Sequence, residues 1–232
     1  MADDNKPLKY MRYAVGEIVL VVIGILIALQ INNWNEERKM RVLERETLVE
    51  ILANITEIES DLAKSLERII FLNMYTDSVI TLIETKDNKP WVLERTLHKA
   101  FLHADGQIQI KKVGYETLKN RGVDIILNKE LKNSILHLFE DSYVSMSNSF
   151  KWKLDDKKSD YLLKNFNPSP SEDGILYSPY DYDFVISDNY FNSLMQTHQL
   201  QNSYFHSVIS DALEDTRKTK ALVSKELNIK NA

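Results

Sequence analysis

An apolar run near the N-terminus, residues 14–31, constrains this chain more than any other feature. It reads AVGEIVLVVIGILIALQI and contains one charged side chain, Glu17. A helix of this length is about 27 Å long, slightly shorter than the roughly 30 Å hydrocarbon core of a bilayer. Tyr13 precedes the run and Trp34 follows it, as aromatic residues do at membrane interfaces. The run therefore predicts a single transmembrane helix.

Two other interpretations of the run are weaker. A buried core helix is disfavoured because such a uniform apolar stretch at the extreme N-terminus is untypical of core helices. A cleaved signal peptide needs a pair of small residues at the cleavage site, and the sequence around Ala28, IALQI, lacks one. The absence of cysteine excludes a lipoprotein signal.

One face of the predicted transmembrane helix carries its charge and its small residues. Spacings of three and four connect the six members of this stripe: Ala14, Glu17, Val21, Gly24, Ala28 and Ile31. Small residues let helices approach closely in lipid, and ionisable residues there usually face protein or water. The stripe predicts an interface with a second copy or with another membrane protein. The alternative is that Glu17 reaches the lipid headgroups.

The apolar run divides the chain into three parts. Residues 1–13 form a short tail, residues 14–31 the transmembrane helix, and residues 32–232 a soluble helical-bundle domain. Lys and Arg flank the run on both sides, so the positive-inside bias does not decide the orientation. A short tail before such a helix is typical of a signal anchor. We therefore expect a single-pass inner-membrane protein whose domain lies in the periplasm rather than the cytoplasm.

The soluble part has a helical pattern with few breakers, since the whole chain has 6 Gly and 5 Pro. Apolar residues at helical spacing predict helices over residues 35–84, 91–104, 115–121, 129–165 and from the N-cap Asp188 to 227, with Gly122 as a C-cap. Residues 167–174, rich in Pro and Ser, predict a loop, and residues 177–186 a loop or a short strand. The fold class is all-α, an antiparallel helical bundle with long helices.

Charge and composition exclude several functions. The net charge is -5, and no basic stripe offers a surface to nucleic acid. With no cysteine, the chain has no disulfides, thiol nucleophiles or zinc–thiolate sites. The partners expected are the lipid bilayer and either a second copy or another membrane protein.

The sequence carries no recognisable catalytic motif, and we predict no catalytic residue, cofactor or metal. Glu94 and His98 lie one helical turn apart, as do His137 and Glu140, but such pairs are common on solvated helix faces. His198 and Asn202 fall on the apolar stripe of the last helix. They predict a hydrogen-bonded polar layer, with a sensing or titrating role for His198 as the alternative.

Aromatic and acidic residues cluster in one segment: Tyr177, Tyr180, Asp181, Tyr182 and Asp183. Such a set suits recognition of a sugar, peptide or cation. The alternative, which we favour, is an ordinary loop whose tyrosines pack on the bundle.

The sequence from Tyr10 to Lys39, YMRYAVGEIVLVVIGILIALQINNWNEERK, resembles the N-terminal signature of an uncharacterised family of small membrane proteins from Gram-negative bacteria. That family shares the Tyr-Ala-x-Gly-Glu-Ile start, the apolar run and the following Asn-x-Trp-Asn. GYETLKNRG (114–122) and KELKNSILHLFEDSY (129–143) are also similar to its helical domain. The resemblance implies membrane anchoring and supplies no activity or site residues.

Together these features predict a membrane-anchored helical interaction, scaffolding or sensing module. Two alternatives stay open at this stage. One is a membrane-tethered metal-dependent hydrolase or ligand-binding enzyme that uses the acidic and histidine groups of the bundle. The other is a subunit of an oligomeric channel, in which Glu17 lines the pore.

Overall fold

The computed structural model describes residues 6–86, 89–100, 108–151, 155–171 and 174–228. It is 86% helical, which confirms the all-α class, and adds one antiparallel β-hairpin. The helices are α1 (Lys6–Thr85), α2 (Pro90–Ala100), α3 (Val113–Arg121), α4 (Lys129–Leu136), α5 (Tyr143–Ser149), α6 (Asp155–Asn165), α7 (Tyr182–Ser187) and α8 (Asn189–Glu226). The strands are β1 (Phe166–Ser171) and β2 (Gly174–Pro179), a 3₁₀ turn spans Val123–Ile125, and a π-helical segment spans His137–Ser142.

The predicted transmembrane helix and the predicted helix over 35–84 form one unbroken helix, α1. No Gly or Pro occurs between Gly24 and Pro90, so nothing in the sequence interrupts the backbone hydrogen bonds. The 80 residues of α1 extend over about 120 Å. All side chains from 14 to 42 are exposed, and burial begins with Leu43 and Glu44. We call residues 14–31 the apolar segment and residues 32–42 the linker.

The second long helix, α8, runs antiparallel to α1 along the bundle. At one level Glu59 of α1 accepts from Arg217 at 3.1 Å and from Lys220 at 2.8 Å. At another level Gln199 donates to Asp77 at 2.5 Å, which fixes the opposite directions of the two helices. The bond from Lys220 is the main cause of the lowered pKa of Glu59, so this cross-link stabilises the fold above the ordinary pKa of 4.5 and weakens in more acidic solution.

The end of the bundle next to the linker is filled by α3, α4, the π-helical segment and α5. They pack on α1 and on the C-terminal half of α8 around a buried cluster that runs from Leu48 to Leu227. Aromatic rings fill its centre: Tyr115 stacks on Phe139 at 4.6 Å, and Phe139 meets Tyr143 edge-on at 5.3 Å. This cluster holds α1 in the bundle just beyond the exposed linker.

Two sequence-predicted caps are confirmed. The side chain of Asp188 accepts from the backbone N–H of Tyr190 and begins α8. Gly122 ends α3 with a φ of 91°, in the left-handed region that glycine tolerates without strain, and its N–H donates to the carbonyl of Lys119. The predicted helix over 91–104 is α2, and its part beyond Ala100 lies outside the described residues.

The single helix predicted over 129–165 is wrong. The backbone turns at Phe150 and Lys151, so α5 ends at Ser149 and α6 begins at Asp155. Ser147 and Ser149 bond to carbonyls one turn back, and such short polar side chains compete with the helix backbone. Phe150 is drawn into the core instead, with its ring 5.0 Å from that of Phe205.

The loop predicted over 167–174 is also wrong, because residues 167–171 and 174 lie on the two strands of a β-hairpin. β1 pairs with β2 in a register that sets Phe166 opposite Pro179 and Pro168 opposite Tyr177. Proline is tolerated on a strand that has a free edge, because its missing N–H then lies outside the ladder. The N–H of Tyr180 donates to the carbonyl of Asn165 and closes the open end of the hairpin.

Backbone contact between α1 and α3 depends on Gly114. Its N–H donates to the side chain of Asn54 at 2.8 Å. A Cβ at this position would lie 2.6 Å from the backbone nitrogen of Ile51, closer than real Cβ contacts. The two helices therefore meet at a distance that glycine alone permits.

We expect Gly114→Ala to destabilise the fold by about 1–3 kcal/mol, because the added methyl group must push two helix backbones apart. Chemical unfolding of the full chain in detergent, followed by circular dichroism, measures the change. The matched control is Val113→Ala, since Val113 is 70% exposed and should change stability by less than about 0.5 kcal/mol. Equal stability of the two variants would contradict the close approach.

Candidate functional site

The core of the bundle is divided into two apolar clusters. One surrounds Leu48 to Leu72 of α1, and the other surrounds Val79 to Ile83, which α2, α6, the hairpin and the start of α8 cover. Between them the two long helices contribute polar side chains. We call this set the polar layer: Asn73 and Thr76 of α1 with His198, Gln201 and Asn202 of α8. The buried polar level predicted from His198 and Asn202 is thus confirmed, and the predicted hydrogen bonding is confirmed for His198.

Some members of the polar layer have hydrogen bonds within the fold. Thr76 donates to the carbonyl of Leu72 at 2.8 Å. Nε2 of His198 lies 2.7 Å from the carbonyl of Ala100, at the last residue of α2, so it donates there and ties α8 to α2. His198 therefore has a structural bond at the level where the two clusters meet.

Two side-chain amide atoms of the polar layer are less well satisfied. The Oδ1 of Asn73 and the Nδ2 of Asn202 are buried and have no hydrogen-bond partner in the described part of the chain. Asn202 is 1% exposed. A buried amide atom without a partner costs about 1–3 kcal/mol, so this level of the core is less stable than a fully apolar one.

The polar layer adjoins a groove between α1 and α8 with a volume of about 480 Å³. It is lined by Ile70, Asn73, Met74, Asp77, Ser203 and His206. Ile70 and Met74 lie off the core stripe of α1, and their side chains are 56% and 51% exposed. Sequence reasoning missed this groove. The sequence feature that could have indicated the groove is a pair of apolar residues four positions apart on the polar side of a helix.

The apolar segment is the second candidate site. Its six stripe residues lie on one helix, all exposed: Ala14, Glu17, Val21, Gly24, Ala28 and Ile31. A Cβ on Gly24 would meet no atom within 4 Å. Of the described helices, α1 is the one long and apolar enough to cross a membrane. The stripe is therefore available to a partner outside the chain, and its role stays a prediction.

The structure distributes the predicted ligand loop over three elements. Tyr177 lies on β2 with its ring 6.4 Å from that of His98, and Tyr180 is exposed at the following bend. Asp181 caps α7 by accepting from the N–H of Phe184. Only the last three of these residues, 181–183, begin the short helix α7.

The remaining two members of that loop lie on α7. The Tyr182 ring packs against the second apolar cluster, and its hydroxyl accepts from the N–H of Lys89 at 3.4 Å. The carbonyl of Asp183 accepts from the Ser187 hydroxyl. Recognition of a ligand by these residues stays a prediction.

The histidine pairs do not assemble a metal centre within the described residues, where no group of three His, Asp or Glu side chains is placed to hold an ion. Glu140 does not pair with His137. It accepts from the Tyr115 hydroxyl at 2.5 Å and lies 3.7 Å from Lys119. Burial and this bond raise the pKa of Tyr115.

His137 joins a different set of side chains at the π-helical segment. Its Nδ1 is 3.1 Å from Asp141, and its Nε2 is 3.4 Å from the Ser142 hydroxyl and 3.6 Å from Asp215. This order matches a Ser-His-Asp triad. However, Ser142 donates its proton to Asp215 at 2.6 Å rather than to His137, and His137 and Asp141 are exposed. An activated serine needs the opposite arrangement, so the set links α8 to the π-helical segment.

The fold and its surfaces thus define a helical bundle carried on one helix that ends in an exposed apolar segment. A family model described as a family of unknown function (DUF6090) matches residues 17–100, a little over a third of the chain. The match runs from the apolar segment to the end of α2, so it supports the resemblance there. The similar stretches at 114–122 and 129–143 lie outside it. Comparison with curated proteins and with solved structures gave no match.

We expect Asn202→Leu to raise the stability of the bundle by about 1 kcal/mol, because it removes a buried amide whose Nδ2 has no partner and keeps a similar volume. Thermal unfolding of the full chain in detergent measures this. Asn192→Leu is a comparison on the same helix and should also be stabilising, because its buried Oδ1 lacks a hydrogen-bond partner among the described residues as well. Destabilisation by Asn202→Leu alone would show that the polar layer is better satisfied than the geometry indicates.

Proposed function

We propose that this protein is a membrane-anchored helical module that acts through interactions, as a scaffold or a sensor. The observation that carries the proposal is the apolar segment of α1. Its large side chains are exposed along the whole segment, with Leu20 at 73% and Ile18 at 63%. Apolar patches of this extent are untypical of soluble monomers and mark contact with a membrane or a partner. In a lipid bilayer, hydrocarbon chains contact the apolar side chains on every side of a single helix.

The residues next to the apolar segment support the same proposal. The segment is about 27 Å long, and Trp34 is exposed just beyond its C-terminal end, at the level expected for an interface. The linker then becomes polar, with Lys39 bonded to Glu36 at 2.9 Å and Arg41 to Glu44 at 2.7 Å. Charged side chains of this kind suit water and headgroups rather than the hydrocarbon core.

The proposed partner of the membrane helix is a second copy of the chain or another membrane protein. The stripe from Ala14 to Ile31 combines small residues with the single carboxylate, Glu17. In lipid, close packing at small residues and polar contacts drive helix association. Because α1 continues without a break into the bundle, pairing at the stripe also brings the linkers of two copies side by side.

Membrane insertion is tested by alkaline extraction of membranes that contain the full chain. We expect the protein to stay in the membrane pellet. Val22→Arg combined with Ile25→Arg should release it, since each arginine at the centre of a membrane helix costs about 2.5–3.5 kcal/mol. The control is Val42→Arg with Val49→Arg, two exposed positions on the same helix outside the segment. Release of the unmodified chain into the alkaline supernatant would contradict the proposal.

The side of the membrane on which the bundle lies is tested by labelling intact spheroplasts that contain the full chain. The chain has no cysteine, so Lys157→Cys on the exposed surface of α6 gives a single label site. Labelling of intact spheroplasts by an impermeant maleimide is expected for a periplasmic bundle. Labelling only after lysis would place the bundle in the cytoplasm.

Self-association through the stripe is tested by energy transfer between labelled copies in liposomes. We expect Gly24→Leu to weaken association by about tenfold, a loss of about 1.4 kcal/mol, because the side chain separates the two helices. Gly16→Leu is the matched control. It lies off the stripe, and a Cβ at either glycine meets no atom within 4 Å. Equal effects of the two substitutions would contradict the stripe as the interface.

A further inference from the structure

We infer that the groove between α1 and α8 binds a small aliphatic ammonium compound. The inference concerns the bundle and does not rest on the proposed membrane role. It starts from the six described residues that line the groove, which include one carboxylate, Asp77, one imidazole, His206, and no Lys or Arg. A groove with one negative charge and no positive one favours a cation.

The polar end of the groove offers acceptors in one turn of each helix. Oδ1 of Asp77 accepts from Gln199 at 2.5 Å, and its Oδ2 has no partner among the described residues. The hydroxyl of Ser203 is exposed on the facing helix. Asn73, one turn before Asp77 on α1, lines the same groove, and its buried Oδ1 has no hydrogen-bond partner among the described residues. The amide torsion of Asn is soft, so a rotation of Asn73 turns this oxygen toward the groove.

The number and kind of these acceptors select the ligand class. An ammonium group has three N–H donors and no acceptor. Asp77, Ser203 and the rotated Asn73 supply three oxygens, one of them charged. Bonds from a charged donor to such oxygens are stronger than bonds between neutral groups.

The apolar end of the groove accounts for the aliphatic part. Ile70 and Met74 lie on the same face of α1 as Asn73 and Asp77, within the preceding turn. Both are more than half exposed, so an alkyl chain of a few carbons that extends from the ammonium group covers them. The ligand therefore has a protonated amine at one end and an unbranched apolar arm.

The test uses the methyl signals of the 6 methionines in the full chain, labelled with ¹³C and held in non-ionic detergent. Met74→Leu identifies the Met74 signal. We expect protonated n-butylamine to shift this signal in a saturable way and n-butanol to cause no saturable shift. Asp77→Asn keeps an acceptor for Gln199 but removes the charge, and should weaken binding by at least about fivefold.

Asp211→Asn is the matched control, because Asp211 is exposed on α8 and does not line the groove. It should leave the affinity for butylamine unchanged. A linear shift without saturation, the same saturable response to butanol, or equal affinity in the chain with Asp77→Asn would each overturn the inference. Circular dichroism of each variant confirms that it is folded.

Discussion

The antiparallel pairing of α1 with α8 is the contact on which the rest of this structure depends. α3 packs on α1 at Gly114, and α2 packs on α1 and is tied to α8 by the bond between His198 and the carbonyl of Ala100. The cross-links from Glu59 to Arg217 and Lys220 and from Gln199 to Asp77 hold the two helices in one register. That register brings Asn73 and Thr76 of α1 to the level of His198, Gln201 and Asn202 of α8 and so creates the polar layer. A shift by one turn would place these amides within apolar clusters, where they cost more.

The sequence predicts those parts of this fold that depend on local patterns. The apolar segment, the long helix after it and the caps at Gly122 and Asp188 each follow from a few neighbouring residues. The break after Ser149 and the hairpin at Pro168 do not, because Phe150 reaches a residue of α8 and the strand is defined by its partner. In both cases a long-range contact overrides the local preference.

The groove shows the same limit for functional residues. Asn73 and Ser203 are 130 positions apart in the chain, and nothing near either residue indicates that they meet. Only the register of α1 against α8 brings them together. The matched family region, residues 17–100, contains the α1 wall of the groove and not the α8 wall. A search for this site in relatives therefore requires the C-terminal helix as well.

The unbroken α1 has a consequence for geometry. Because the linker is helical, the distance between the apolar segment and the bundle increases by about 1.5 Å for each linker residue. Seven extra residues would lift the bundle by about 10 Å and turn it by only about 20°, whereas four would lift it by about 6 Å and turn it by about 40°. The length of the linker thus sets the distance and the direction of the bundle relative to the apolar segment. A flexible tether of equal length would leave both undefined.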